Sequence, residues 1–144
     1  MTAGAHLSLV TVLVRDYDEA IGWYARLPGF ALVEDTPLGG GKRWVVVGPQ
    51  HGTRLLLARA EGPDQKAATG NQAGGRVAFF LTTENFARDH AAMHANGVRF
   101  AETPRSEPYG TVVVFQDLYG NKWDLIEPAK PLSAQTPAVN SRTS

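Results

Sequence analysis

The feature that most constrains this 144-residue chain is an internal repeat. Gly29 and Gly97 are 68 residues apart, and so are Gly52 and Gly120. At that offset Val45-Val46-Val47 fall on Val113-Val114-Phe115, and Leu55-Leu56-Leu57 fall on Trp123-Asp124-Leu125. Unrelated strand pairs with ordinary glycine turns are the competing account, because Gly punctuates most chains. Two matched glycines together with two matched strands favour the repeat. Such a repeat usually means two supersecondary units sharing a core that neither builds alone.

The local pattern gives each unit the same element order. Leu7–Val14 is rich in Val and Leu and reads as a buried strand. Its apolar run has no basic flank before it, which argues against a signal peptide. Asp16 is placed as a helix N-cap with Glu19 as its capping-box partner. Ala20, Ile21, Tyr24 and Leu27 recur at helical spacing, and Pro28-Gly29 ends the helix. Phe30–Glu34, Arg43–Val47 and Thr53–Arg59 are expected strands, with a loop over Asp35–Lys42 whose Gly39-Gly40-Gly41 is a lid or a hairpin tip. Glu61–Gly75 reads as a linker. A strand over Arg76–Thr82, a helix over Glu84–Asn96, and strands over Val98–Thr103, Thr111–Gln116 and Asn121–Glu127 repeat the order. The expected organisation is one domain over 1–128, with modules at about 5–60 and 75–128 joined by a linker at 61–74. A mobile tail follows over 129–144.

Composition narrows the function classes. The net charge is zero; the tail carries Lys130 and Arg142 without an acid, leaving the body at −2. With no basic stripe, nucleic acid is not an expected partner. No apolar run approaches the roughly 20 residues of a membrane span. The chain has no cysteine, so disulfides and thiolate chemistry are excluded and a cytoplasmic location is the default expectation.

Three segments carry a family resemblance. Leu9–Tyr24, LVTVLVRDYDEAIGWY, resembles the opening strand and helix of the vicinal-oxygen-chelate superfamily of glyoxalase I, bleomycin-resistance proteins and extradiol dioxygenases. Gly74–Leu81, GGRVAFFL, resembles its second opening strand. Val114–Pro128, VFQDLYGNKWDLIEP, resembles its closing F-x-D-P-x-G-N-x-x-E-L signature, the most specific of the three. The resemblance implies an α+β fold of two tandem βαβββ modules, with a curled half-barrel sheet, helices outside and the ligand on the concave side. It also implies a homodimer.

In metal-dependent members four strand positions supply His, Glu or Gln to one divalent cation. Carried over residue by residue, they fall here on Leu9, Leu56, Arg76 and Asp124. Leucine cannot coordinate, and a guanidinium stays protonated and repels cations. A divalent ion needs several oxygen or imidazole ligands, so no metal and no other cofactor is expected. The placement of Arg76 assumes one extra residue in the second helix. Arg76 and Asp124 would then face each other where the metal sits in relatives. That pair reads either as a structural plug or as a ligand-reading charge pair.

Strand alternation extends the candidate wall. With Leu9 inward, Thr11 and Leu13 follow, while Val10, Val12 and Val14 lie under the helix. With Arg76 inward, Ala78, Phe80 and Thr82 follow. Asp124 brings Lys122 and Ile126; Leu56 brings Arg54 and Ala58. Trp44 is either a stacking wall or a core residue. Tyr109 either edges the cavity or is a turn aromatic.

Other constellations carry less. His90 and His94 have helical i, i+4 spacing, but no Glu follows His90 and no third ligand is evident. No serine or cysteine nucleophile motif is present. The glycines at 39–41 lack the lysine and helix of a phosphate loop. The leading expectation is metal-independent sequestration of a small amphipathic or aromatic molecule, of the bleomycin-resistance type. The alternatives are a lyase, isomerase or dioxygenase with an altered site, and a structural or regulatory dimer with a vestigial cavity.

Overall fold

The computed structural model describes Gly4–Ala129, so all but the first residue of the expected tail lies outside the described residues. The first module is β1 (Leu9–Val14), α1 (Tyr17–Tyr24), β2 (Ala31–Gly39), β3 (Lys42–Gly48) and β4 (Arg54–Arg59). A short helix α2 (Gly62–Ala68) follows. The second module is β5 (Val77–Thr82), α3 (Phe86–Ala95), β6 (Arg99–Phe100), β7 (Arg105–Glu107), β8 (Gly110–Gln116) and β9 (Lys122–Pro128). This is the mixed α+β architecture of two βαβββ units.

Each module forms its own open sheet. The first has the order β1-β4-β3-β2; the second has β5-β9-β8-β6, with β7 also on β8. In both, the opening strand runs parallel to the closing strand. β1 and β2 lie at opposite edges of the first sheet, as do β5 and β6 of the second, and the helix between them carries the chain across.

The helix starts follow the local chemistry. Asp16 is extended at φ −147° and its carboxylate accepts the N–H of Glu19 at 2.9 Å. Glu19 does not close the capping box. Its carboxylate is drawn to Arg15 at 2.8 Å and to the Tyr119 hydroxyl, which donates at 2.6 Å. Asn85 caps α3 in the same manner, accepting the Arg88 N–H at 3.1 Å.

The helices lie on the same sheet faces that strand alternation assigns to the core. Val12 and Val14 on β1, Val45 and Val47 on β3, and Leu55 and Leu57 on β4 are buried beneath α1. Val113 and Phe115 on β8, with Trp123 and Leu125 on β9, are the counterparts in the second module. The two modules join through aromatic contacts: Trp123 lies 6.0 Å from Tyr24 and 6.2 Å from Phe30, centroid to centroid, and 4.7 Å from its own sheet neighbour Phe79.

Three expectations are corrected. The loop over Asp35–Lys42 is a continuation of β2 into a hairpin whose tip is the glycine run. Pro37 is tolerated because β2 is an edge strand and its pairing slips there, between Pro37 and Gly39. The strand expected over Val98–Thr103 is broken into β6 and β7, with Ala101–Pro104 between them. The segment read as a plain linker holds α2, with Pro63 in its first turn.

Gln72 binds this segment to the first sheet. Its side-chain oxygen accepts the Leu13 N–H at 2.9 Å and its amide donates to the Thr11 carbonyl at 2.7 Å. One side chain thus serves as a short strand against the free edge of β1. Its own backbone N–H donates to Asn121 Oδ1 at 3.0 Å, fastening that edge to the start of β9.

Candidate ligand-binding site

Each sheet has a second face, turned away from the helices, and the candidate residues divide between these two faces. On the first sheet Thr11 and Leu56 are ladder neighbours, as are Leu56 and Val46. Leu9 sits one alternation along β1 opposite Arg54. Arg54 is turned to the β3–β4 connection, donating to the carbonyls of Pro49 and Gln50. Trp44 lies on the Val46 side of β3 and keeps 37% of its surface exposed, which fits the wall reading over the core reading.

On the second sheet Asp124 is flanked by Phe80 on β5 and Val114 on β8. Phe80 is 65% exposed although it is mid-strand. Asp124 is 8% exposed, and its Oδ1 is buried without a hydrogen-bond partner. Burial pushes this carboxyl above the usual aspartate range; Arg105 opposes that shift and Glu102 adds to it.

The expected Arg76–Asp124 pair does not form. Arg76 lies before β5, is exposed, and its backbone N–H turns back to Ala73 O. The register explains the error. Thr11 pairs with Leu56 as Phe80 pairs with Asp124, so the opening strands repeat at an offset of 69 and the closing strands at 68. The extra residue belongs to the first module's helix segment, not the second's. A bulge between Val77 and Phe79 shifts the register within β5. Before it Leu9, opposite Arg54, matches Val77, opposite Lys122; after it Thr11 matches Phe80, which lies opposite Asp124.

The charges facing Asp124 come from a segment that alternation on the main strands did not reach. Arg105 and Glu107 are two apart on β7 and share the face of Val112. Arg105 Nε bonds Glu102 at 3.0 Å and Nη1 bonds Glu107 at 2.5 Å. Glu102 also accepts the Val114 N–H at 3.0 Å. The period-two spacing of Arg105 and Glu107 was readable; the break after Phe100 that brings them over the sheet was not.

This donor set does not fit a divalent ion. Leu56 and Leu9 offer no donor, Phe80 faces Asp124, and Glu102 is held by Arg105. Among the described residues no three of His, Asp and Glu are grouped to hold a metal. His90 lies 5.6 Å from the Phe86 ring and 4.4 Å from that of Phe100, a packing role.

The closing motif is architectural. Asp117 Oδ1 accepts the backbone N–H groups of Tyr119, Gly120 and Asn121 at 3.0–3.1 Å. Its Oδ2 accepts from the Tyr24 hydroxyl at 2.6 Å and from Asn121 Nδ2 at 2.9 Å. The turn that starts β9 is thereby bolted to α1, and Asp124 is delivered in register. Tyr109 stands 55% exposed at the turn between β7 and β8, beside Arg105.

A family model described as "Glyoxalase/Bleomycin resistance protein/Dioxygenase superfamily" matches residues 6–125. An uncharacterized protein of Shewanella frigidimarina is 51% identical over 125 residues, spanning 85% of this chain and 90% of its own. The solved structure of UcmS2 is similar with a TM-score of 0.73 and 30% identity, covering 86% of this chain and 98% of that one. TnmS3, an antibiotic binding protein from Streptomyces sp. CB03234, has a TM-score of 0.71 and 29% identity over 90% of this chain and 100% of its own.

Proposed function

For a chain that belongs to the glyoxalase/bleomycin resistance protein/dioxygenase superfamily, we propose metal-independent binding of a small amphipathic or aromatic molecule, held by sequestration on the sheet faces turned away from the helices. The observation that carries the reading is Asp124: a buried carboxylate whose Oδ1 has no partner, beside the exposed ring of Phe80. An orphaned buried acceptor costs free energy that folding alone does not recover. A ligand hydroxyl or amine that donates to Oδ1, with its ring on Phe80, offsets that cost. On the first sheet Leu9, Thr11, Leu56 and Trp44 offer an apolar surface of the same kind, on the face turned away from α1. Arg76 contributes its charge only from outside the sheet. Likeness to an antibiotic binding protein is consistent with this class of ligand.

Two further features belong to the same reading. β2 is exposed along its whole length and presents Leu32, Val33 and Leu38. An exposed edge strand is a pairing surface, and a homodimer formed there would cover these apolar side chains. No described helix is long and apolar enough to cross a membrane, and a cytoplasmic protein is the setting we propose.

The test has two arms. Purified protein is assayed for bound metal and titrated in a thermal-shift assay with nickel, zinc, manganese and iron(II); it is then titrated with a panel of planar aromatic phenols and amines. No stoichiometric metal, no metal-induced shift, and binding of panel members that weakens at least tenfold in Asp124→Ala is the expected result. A metal-induced shift that vanishes in Asp124→Ala would overturn it.

A further inference from the structure

A cavity lies within the first sheet, and its chemistry differs from that around Asp124. β3 and β4 pair only from Val45–Leu57 to Val47–Leu55. Both strands run on past Val45 and Leu57, to Lys42 and Arg59, each still paired to its outer neighbour. The strands therefore splay, and a cavity of about 300 Å³ opens between them. The Arg43 N–H, which a continued ladder would engage, donates to the Tyr17 hydroxyl at 3.2 Å instead.

The charged lining is uneven. Lys42, Arg43 and Arg59 border the cavity against the single acid Glu61. Arg43 is neutralised, bonding Asp35 at 2.7 Å and Asp18 at 2.9 Å. No described carboxylate pairs with Arg59 or Lys42. The Arg59 guanidinium lies 5.3 Å from the centroid of the Tyr17 ring, which holds it by a cation–π contact and leaves its N–H fork unspent. Its Nη2 is also close to Gly41, where a Cβ would stand 3.3 Å away. Trp44 and Leu38 supply an apolar wall at the same opening.

We propose that this cleft binds the planar anionic end of a small aromatic acid: the carboxylate on the N–H fork of Arg59, assisted by Lys42, and the ring against Trp44. The volume is at the lower end for small-molecule sites, so one or two rings fit. The proposal rests on the reading of the protein as a small-molecule binder, but not on Asp124, which belongs to the other sheet.

The probe is 2-naphthoate, compared with the neutral isostere 2-naphthamide by isothermal titration calorimetry on the full chain. Expected is naphthoate binding roughly tenfold or more tighter than naphthamide, the range of a charge-assisted contact. Arg59→Gln abolishes that preference, Arg59→Lys retains part of it, and added salt weakens it. Glu61→Gln removes the opposing carboxylate and tightens naphthoate, which keeps the test decisive if Arg59→Gln folds poorly. Equal binding of acid and amide in all variants would overturn the anion site while leaving the binding reading standing. No naphthoate binding at millimolar concentration would overturn the inference, and the Asp124 panel would separately decide the broader reading.

Discussion

Asp124 is the residue at which stability and binding oppose each other. Its carboxyl is held above the ordinary aspartate range by burial, so it takes up a proton more readily in the folded chain than in the unfolded one. The sign of the linkage follows. A raised folded-state value means that stability falls as pH rises from the unfolded-state value through the folded one, and the full cost is present at neutral pH. Asp124→Asn is therefore expected to stabilise the unliganded protein at pH 7 by about 1 kcal/mol, with the gain shrinking toward pH 4. Thermal melts of both proteins across that range check it. A pH-independent difference would place the effect in packing instead. Asp89 has the opposite sign. Arg88 and a Thr83 hydroxyl hold its carboxyl below the usual range. Asp89→Asn is expected to destabilise at neutral pH, by about 1–2 kcal/mol, and the loss should disappear in melts taken below the lowered value.

At the scale of elements, β1 is an edge strand closed by one side chain. Gln72 supplies a donor and an acceptor to Leu13 and Thr11, so Gln72→Ala removes both bonds and leaves that edge bare. Two neutral hydrogen bonds of about 1 kcal/mol each set the expected loss at about 1–2 kcal/mol. Hydrogen exchange should show the Leu13 amide losing protection ahead of Val12, whose N–H belongs to the other side of the strand; equal loss at both would mean a global effect. The approach of this segment is tight at Gly70. It has φ +78°, and a Cβ there would collide with the backbone carbonyl of Tyr119. Gly is required at that point by space as well as by conformation.

At the scale of the molecule, the two modules share one set of aromatic contacts around Trp123, and one face of each sheet is left for function. The exposed β2 edge has an expected consequence. Light scattering should give twice the monomer mass at micromolar concentration, and Val33→Lys should return the protein to monomer with little change in monomer folding, since Val33 is 40% exposed. A monomeric wild type would sink the proposed dimer.

The repeat, the order of strand and helix in each half, and the faces of β1, β4, β5 and β9 were legible in the sequence, because they depend on residue type and short-range period. Val12 against Thr11 and Trp123 against Asp124 alternate as a half-buried strand must, and Asp16 carries its cap chemistry locally. What the sequence could not determine was register across the sheet. A one-residue difference in the helix segments and a bulge at the start of β5 replaced Arg76 by Phe80 opposite Asp124. Neither leaves a sign in periodicity, since a bulge is settled by the pairing energy of the whole ladder. The same holds for Arg105, carried over the second sheet by a strand break, and for Arg59, which borders a cavity only because β3 and β4 part beyond Val45 and Leu57. Those placements are decided by the tertiary structure: they depend on which chemically suitable partners the folded backbone brings within a few ångströms, not on the neighbours a residue has along the chain.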